Sequence, residues 1–246
     1  MALPNKQSEL RLPTSRRNLL KLGGLALGGM ALASVPTAIS AQTSNGAKTI
    51  RLRNNDTGIL NFALLLEELE AAFYQQAAQS GQITDTQESE YIEALGRHES
   101  EHVSFLREVL GQDTAFETNE LSFNQQGVSE LLADCQTILD SAVLLEDLGV
   151  HAYNGAGVKI KNPTYLRAAG SIVSVEGRHS AGVRGLLGRS ATQTPEERQV
   201  SDADLASKLN PFQGRAYDEL CTPKQIVSVV DSLNILNNPI RGSLVR

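Results

Sequence analysis

The sequence predicts an all-α protein: a four-helix bundle with a long crossover between its second and third helices, followed by a C-terminal appendage. Three observations lead there. Apolar residues recur with the helical period over four stretches between residues 56 and 189. The two halves of that region repeat: ALLLEELEAAFY (63–74) aligns with AVLLEDLGVHAY (142–153) at an offset of 79, and HESEHVSFLREVLG (98–111) with VEGRHSAGVRGLLG (175–188) at an offset of 77. Each half carries a Glu embedded in leucines, Glu67 or Glu146, and then a Glu-x-x-His pair, Glu99 with His102 or Glu176 with His179.

The first helix is expected from Asp56 or Thr57, either of which could cap it, to about Ser80. On a helical wheel Leu60, Ala63, Leu64, Glu67, Ala71, Tyr74 and Ala78 form one stripe, with Asn61, Glu68 and Gln75 facing away. Glu67 therefore points inward and Glu68 does not. The second helix, about 86–110, places Glu99 and His102 among Tyr91, Leu95, Leu106 and Val109, opposite Glu93, Arg97, Glu101 and Glu108. From Gly111 to about Gly127 the period fails, which reads as a crossover from one end of a bundle to the other. A third helix is expected over about 129–159, with Leu132, Cys135, Leu139, Glu146, Val150 and Tyr153 on its inward stripe. The fourth starts after Asn162-Pro163, whose proline suits a first turn, and ends at Gly188. Residues 190–246 are mostly polar and only PKQIVSVVDSLNIL looks helical; Ile226, Val229, Val230 and Leu233 are expected to pack on the bundle or on a second subunit.

Composition bounds the function. The chain has 246 residues, 41% of them hydrophobic and 20% charged, which is ordinary for a soluble globular protein. A net charge of −6 leaves no basic footprint for nucleic acid. The first 41 residues are expected to be an export signal rather than fold. Ser15, Arg16, Arg17, Asn18, Leu19, Leu20 and Lys21 read as a twin-arginine motif, before an uncharged stretch and small residues at Ala38, Ser40 and Ala41. A membrane anchor is the other reading, but Leu22–Ala33 is shorter than the roughly 20 residues a bilayer span needs. Cleavage within 38–42 would leave a polar lead-in, 42–55, and send the protein to the periplasm or another extracytoplasmic space through the twin-arginine translocase. Cys135 reads as a buried thiol on the inward stripe, with a bridge to Cys221 as the alternative in an oxidising compartment.

Six residues carry the chemistry. A carboxylate and an imidazole at i and i+3 share one helix face and can reach one ion. Four Glu on inward stripes with no Lys or Arg beside them would be costly if ionised and unpaired. Two divalent ions would balance four carboxylates and two neutral imidazoles; the metal-free alternative is protonated carboxyl groups sharing hydrogen bonds. The candidate ligands are Glu67, Glu99, His102, Glu146, Glu176 and His179. Tyr74 and Tyr153, each seven residues past its Glu, either fill core volume or hydrogen-bond a ligand carboxylate. Glu70 shares the apolar face of the first helix and pairs with Gly149 in the repeat, so it is an extra ligand or a hydrogen-bonding carboxyl group. His98 lies at the margin of its stripe, and His151 is expected at the surface.

The order Glu67, Glu99-x-x-His102, Glu146, Glu176-x-x-His179 resembles the ferritin-like superfamily over residues 56–189. The segments DTGILNFALLLEELEAAFY and HESEHVSFLREVLG are similar to those of exported ferritin-like proteins related to desiccation-associated proteins. The resemblance implies that Glu99 and Glu176 bridge two ions, with Glu67, Glu146, His102 and His179 as terminal ligands. It implies two iron or manganese ions, since carboxylate and imidazole suit both, although copper and zinc would win on affinity alone. A twin-arginine substrate travels folded, so metal would be loaded in the cytoplasm. The function expected is redox chemistry on peroxide or oxygen in oxidative or desiccation stress, manganese catalase being the sharpest version. The alternatives are iron oxidation for sequestration and a stress-protective structural protein stapled by metal. Catalytic residues and oligomeric state are left open, a homo-oligomer included.

Overall fold

The computed structural model describes residues 46–191, 218 and 220–246; the twin-arginine segment and the polar run from 192 to 217 lie outside the described residues. Four long helices form the bundle: α1 (Asp56–Gln79), α2 (Thr86–Leu110), α4 (Cys135–Gly157) and α5 (Pro163–Leu186). A short α3 (Gln125–Leu131) lies in the crossover, and α6 (Pro223–Leu233) follows the bundle. Helix α1 packs chiefly on α2 and α4 on α5, and the two hairpins meet along α1 with α4 and α2 with α5. Among the described residues no helix is long and apolar enough to cross a membrane.

Local chemistry sets the helix ends. Asn55 caps α1 by accepting a hydrogen bond from the Gly58 amide at 2.8 Å. Asp56, expected as a cap, instead accepts from the amides of Lys161 and Asn162, tying the α4–α5 turn to the start of α1. Asp85 caps α2, Asn162 caps α5, and Pro163 occupies the first turn of α5. The third bundle helix begins at Cys135, not near 129, because Asp134 accepts from the Thr137 amide at 2.7 Å and imposes a new N-terminus.

The crossover settles what covers the outer face of α1. Asn61 and Glu68 face away from the bundle axis as the wheel predicts, yet they are 2% and 5% exposed. The crossover covers that face. The Asn61 amide donates to the carbonyls of Thr57 and Asp113 and accepts from the Ala115 amide. Glu68 accepts from Arg107 and Thr118. Phe116, Leu121 and Phe123 bury themselves beside these bonds.

The lead-in and the C-terminal segment pack together against the crossover and α4. Ile50 and Leu52, within the stretch expected to be a polar lead-in, are buried: β1 (Ile50–Arg51) pairs in parallel with β2 (Ile240–Arg241). Helix α6 lays Ile226, Val229 and Val230 on the bundle through α4, with Leu233 half-buried. The Cys221 amide donates to the His151 carbonyl at 3.1 Å, so His151, expected at the surface, is half-buried. Cys135 is a half-buried free thiol 3.1 Å from Glu88, and the alternative bridge to Cys221 is not made.

Gly155 makes this docking possible: a Cβ there would lie 1.8 Å from the Cys221 carbonyl oxygen. The obstacle is backbone, which no rotamer change relieves. Gly155→Ala is therefore expected to cost about 1–3 kcal/mol by overpacking and to expose the segment after Leu220 to limited proteolysis. Gly170→Ala, with nothing within 4 Å of the added methyl, is expected to be neutral or stabilising. Equal thermal stability and protease resistance for both variants would contradict the docking role.

Candidate metal centre

The bundle core brings all six candidate ligands together. Helix α1 contributes Glu67, α2 contributes Glu99 and His102, α4 contributes Glu146, and α5 contributes Glu176 and His179. All four carboxylates are fully buried, each 0% exposed. Two overlapping sets, Glu67 with Glu99, His102 and Glu176, and Glu99 with Glu146, Glu176 and His179, each place four ligand atoms within 4.8 Å of one another.

Each histidine turns Nδ1 toward oxygens of three carboxylates. His102 Nδ1 lies 2.9 Å from Glu67 Oε2, 2.9 Å from Glu99 Oε2 and 3.1 Å from Glu176 Oε1. His179 Nδ1 lies 2.9 Å from Glu99 Oε1, 3.2 Å from Glu146 Oε2 and 4.0 Å from Glu176 Oε2. Glu99 and Glu176 thus each aim one oxygen at one histidine and the second oxygen at the other. Glu67 and Glu146 each serve a single histidine.

An N–H group has one proton to donate, and there are too few protons here for so many oxygens. Glu99 Oε1 and both oxygens of Glu176 are buried without a hydrogen bond, although imidazole nitrogens stand nearby. Distance is satisfied and donor direction is not. A buried acceptor left this way costs about 1–3 kcal/mol, more when charged. A cation attracts every facing lone pair, so the donor set and its orphaned oxygens fit a metal ion.

The tyrosines cross between the halves. Tyr74 of α1 donates to Glu146 Oε1 of α4 at 2.5 Å, and Tyr153 of α4 donates to Glu67 Oε1 of α1 at 2.5 Å. Each tyrosine fills core volume and also hydrogen-bonds a carboxylate of the opposite hairpin. The repeat extends outward as well. Arg107 pairs with Glu68 at 2.6 Å, and its counterpart Arg184 pairs with Asp147 at 2.5 Å, in each case the acid that follows the inward Glu. These clamps fasten α2 to α1 and α5 to α4.

Two side chains break the symmetry. His98, exposed on α2, holds its Nδ1 2.8 Å from His179 Nε2 with the two rings stacked 5.1 Å apart. Glu70 is 3% exposed, with Oε2 lacking any hydrogen bond. Its room comes from Gly149, where a Cβ would lie 3.2 Å from Glu70 Oε1 and 3.6 Å from Glu176 Oε2. The repeat alignment pairs Glu70 with Gly149, and that pairing was the sequence signal for this notch.

Burial and crowding set the protonation of the cluster. Burial, then the proximity of Glu176, raises the carboxyl of Glu67 well above its ordinary value, and the same two causes raise Glu70. Burial and Glu99 raise Glu146; burial and Glu146 raise Glu176. Burial also acts on Glu99, but the imidazoles of His102 and His179 beside it outweigh that and hold the carboxyl at about 2. Burial would lower His102, but the carboxylates of Glu176, Glu67 and Glu99 around its Nδ1 raise it far above the imidazole range.

A bundle of four helices with buried carboxylates and imidazoles facing across its axis defines a class of metal-binding helical proteins. Residues 55–189 match the model of the ferritin-like domain family, and the chain belongs to that family. No curated protein matches the chain.

Without metal, the four raised carboxyls and His102 hold protons more tightly in the folded state than in the unfolded one. The carboxyls' contribution to stability is full below their ordinary value of 4.5 and is lost as pH rises through their raised values; that of His102 is full below 6.5 and is lost only far above it. Glu99 runs the other way, but only between 4.5 and about 2. Chelator-treated protein is therefore expected to melt higher at pH 5 than at pH 8, by differential scanning calorimetry. Metal-loaded protein should show the opposite trend, because binding must displace those protons. A metal-free form that gains stability between these pH values would contradict the assignment.

Proposed function

We propose that the protein is an exported redox enzyme with a dinuclear iron or manganese site acting on peroxide or dioxygen. One observation carries the dinuclear reading: Glu99 and Glu176 each direct one oxygen to His102 and the other to His179. In this reading they bridge the two ions, with Glu67 and His102 completing one position and Glu146 and His179 the other. Bound iron or manganese would supply the electron exchange with the oxidant.

The chain's own residues do the rest. Tyr74 and Tyr153 fix the free oxygens of Glu146 and Glu67, leaving the other oxygen of each turned to its histidine. The apolar side chains packed around the carboxylates, each 0% exposed, keep bulk water from the centre. Beside Tyr153 a cavity of about 10 Å3, lined by Ile59, Phe62, Ala63, Leu66, Ala152 and Ala156, has room for about one water-sized molecule. That size and apolar lining suit a small apolar molecule such as dioxygen. Export rests on the Ser15–Lys21 motif, and a part in oxidative or desiccation stress on the wording around the ligands, similar to exported desiccation-associated relatives.

The full chain is expected to carry two ions, one for each set, by elemental analysis, and to consume hydrogen peroxide only when loaded. Glu99→Ala or Glu176→Ala should lose both ions, because each removes a shared bridge. Two ions retained by either variant would refute the bridges. Iron far above two per chain would favour sequestration, and two ions without turnover of peroxide or dioxygen would favour a structural staple.

A further inference from the structure

The two candidate positions are built alike in their nearest donors and differently one layer out, and the difference falls on one side. Glu70 Oε1 stands in the notch at Gly149, one turn past Glu146 on α4, beside Glu176 Oε2. That is the Glu176 oxygen facing His179; the other faces His102. Glu70 is buried, and its Oε2 has no hydrogen bond. His98 bonds the outer nitrogen of the same His179 at 2.8 Å. The repeat places Gly149 opposite Glu70 and Val175 opposite His98, so the His102 side has neither group. Among the described residues, His102 Nε2 makes no comparable bond.

Both additions act on metal affinity in the same direction. A fifth carboxyl group adds an oxygen donor at the edge of the cluster, one of its oxygens without a hydrogen bond. An imidazole bonded at the outer nitrogen of His179 fixes its tautomer, leaving Nδ1 directed at the carboxylates. The His102 position must assemble the same donors without that preparation.

We propose that the two metal positions are unequal and fill in order, the position of Glu146 and His179 taking the first divalent ion because Glu70 and His98 serve it alone. This rests on the dinuclear reading above and deepens it: one ion is resident, and the second position is the exchangeable one.

Isothermal titration of manganese(II) into the chelator-treated full chain tests it. The wild type should show two steps at least about tenfold apart in affinity, the size of effect expected from outer supporting groups. Glu70→Gln, nearly the same in volume, should weaken the tighter step about tenfold or more and merge the two. Gly149→Ala, which crowds the Glu70 oxygens, should move the same way. His179→Ala should remove the tight step and His102→Ala the weak one. Two steps of equal affinity in the wild type, or an unchanged separation in both Glu70→Gln and Gly149→Ala, would overturn the order of filling while leaving two ions bound. Binding of no ion at all would instead overturn the dinuclear reading itself.

Discussion

Burying five carboxylates in the axis of a helical bundle is the constraint on which the rest of the structure depends. Glu67, Glu70, Glu99, Glu146 and Glu176 are all within 3% of complete burial, and among the described residues no Lys or Arg pairs with them, the buried Arg184 being paired with Asp147. Isolated buried carboxylates are among the costliest groups a fold can contain. Protons relieve part of that cost, as the raised carboxyls show, but protons cannot direct a hydrogen bond to every oxygen. Cations can.

Holding such a cluster in register needs ties between helices that do not themselves enter it. The crossed tyrosines bind each hairpin to the carboxylate of the other, so the hairpins cannot slide without breaking both bonds. Outside them, Arg107 with Glu68 and Arg184 with Asp147 lock the helices within each hairpin. Breaking such a buried pair by removing one partner costs about 3–5 kcal/mol, an upper figure here because Arg107 and Asp147 keep some contact with solvent. The internal repeat is therefore a repeat of mechanics as well as of donors. Its two departures, Glu70 against Gly149 and His98 against Val175, stand at one end of the cluster.

Helical period and the repeat made the bundle helices and the convergence of the six donors legible in the sequence, because both are local patterns of burial. Period alone reports which face turns inward; it is silent on what covers the other face. Asn61 and Glu68 face away as period predicts, but their burial was not legible, since the crossover returns over a face that a lone helix would leave to water. The start of α4 was set by the Asp134 cap, a single hydrogen bond that an apolar stripe running through Leu132 and Cys135 concealed. The pairing of Ile50 with Ile240 joins two-residue strands far apart in the chain, too short for any period to show. The crossing of the tyrosines was hidden too, because a helical wheel assigns a side chain to a face and not to a partner.

Electron paramagnetic resonance of the full chain loaded with manganese(II) tests the central claim most directly, since two ions sharing Glu99 and Glu176 must sense one another magnetically. The account predicts that the signal of the first ion is replaced, as the second binds, by the broad spectrum of an exchange-coupled pair, and that Glu99→Ala or Glu176→Ala abolishes that spectrum. A spectrum that keeps the hyperfine pattern of isolated ions at full loading, in the wild type and in both variants, would show that the carboxylates do not bridge and would contradict it.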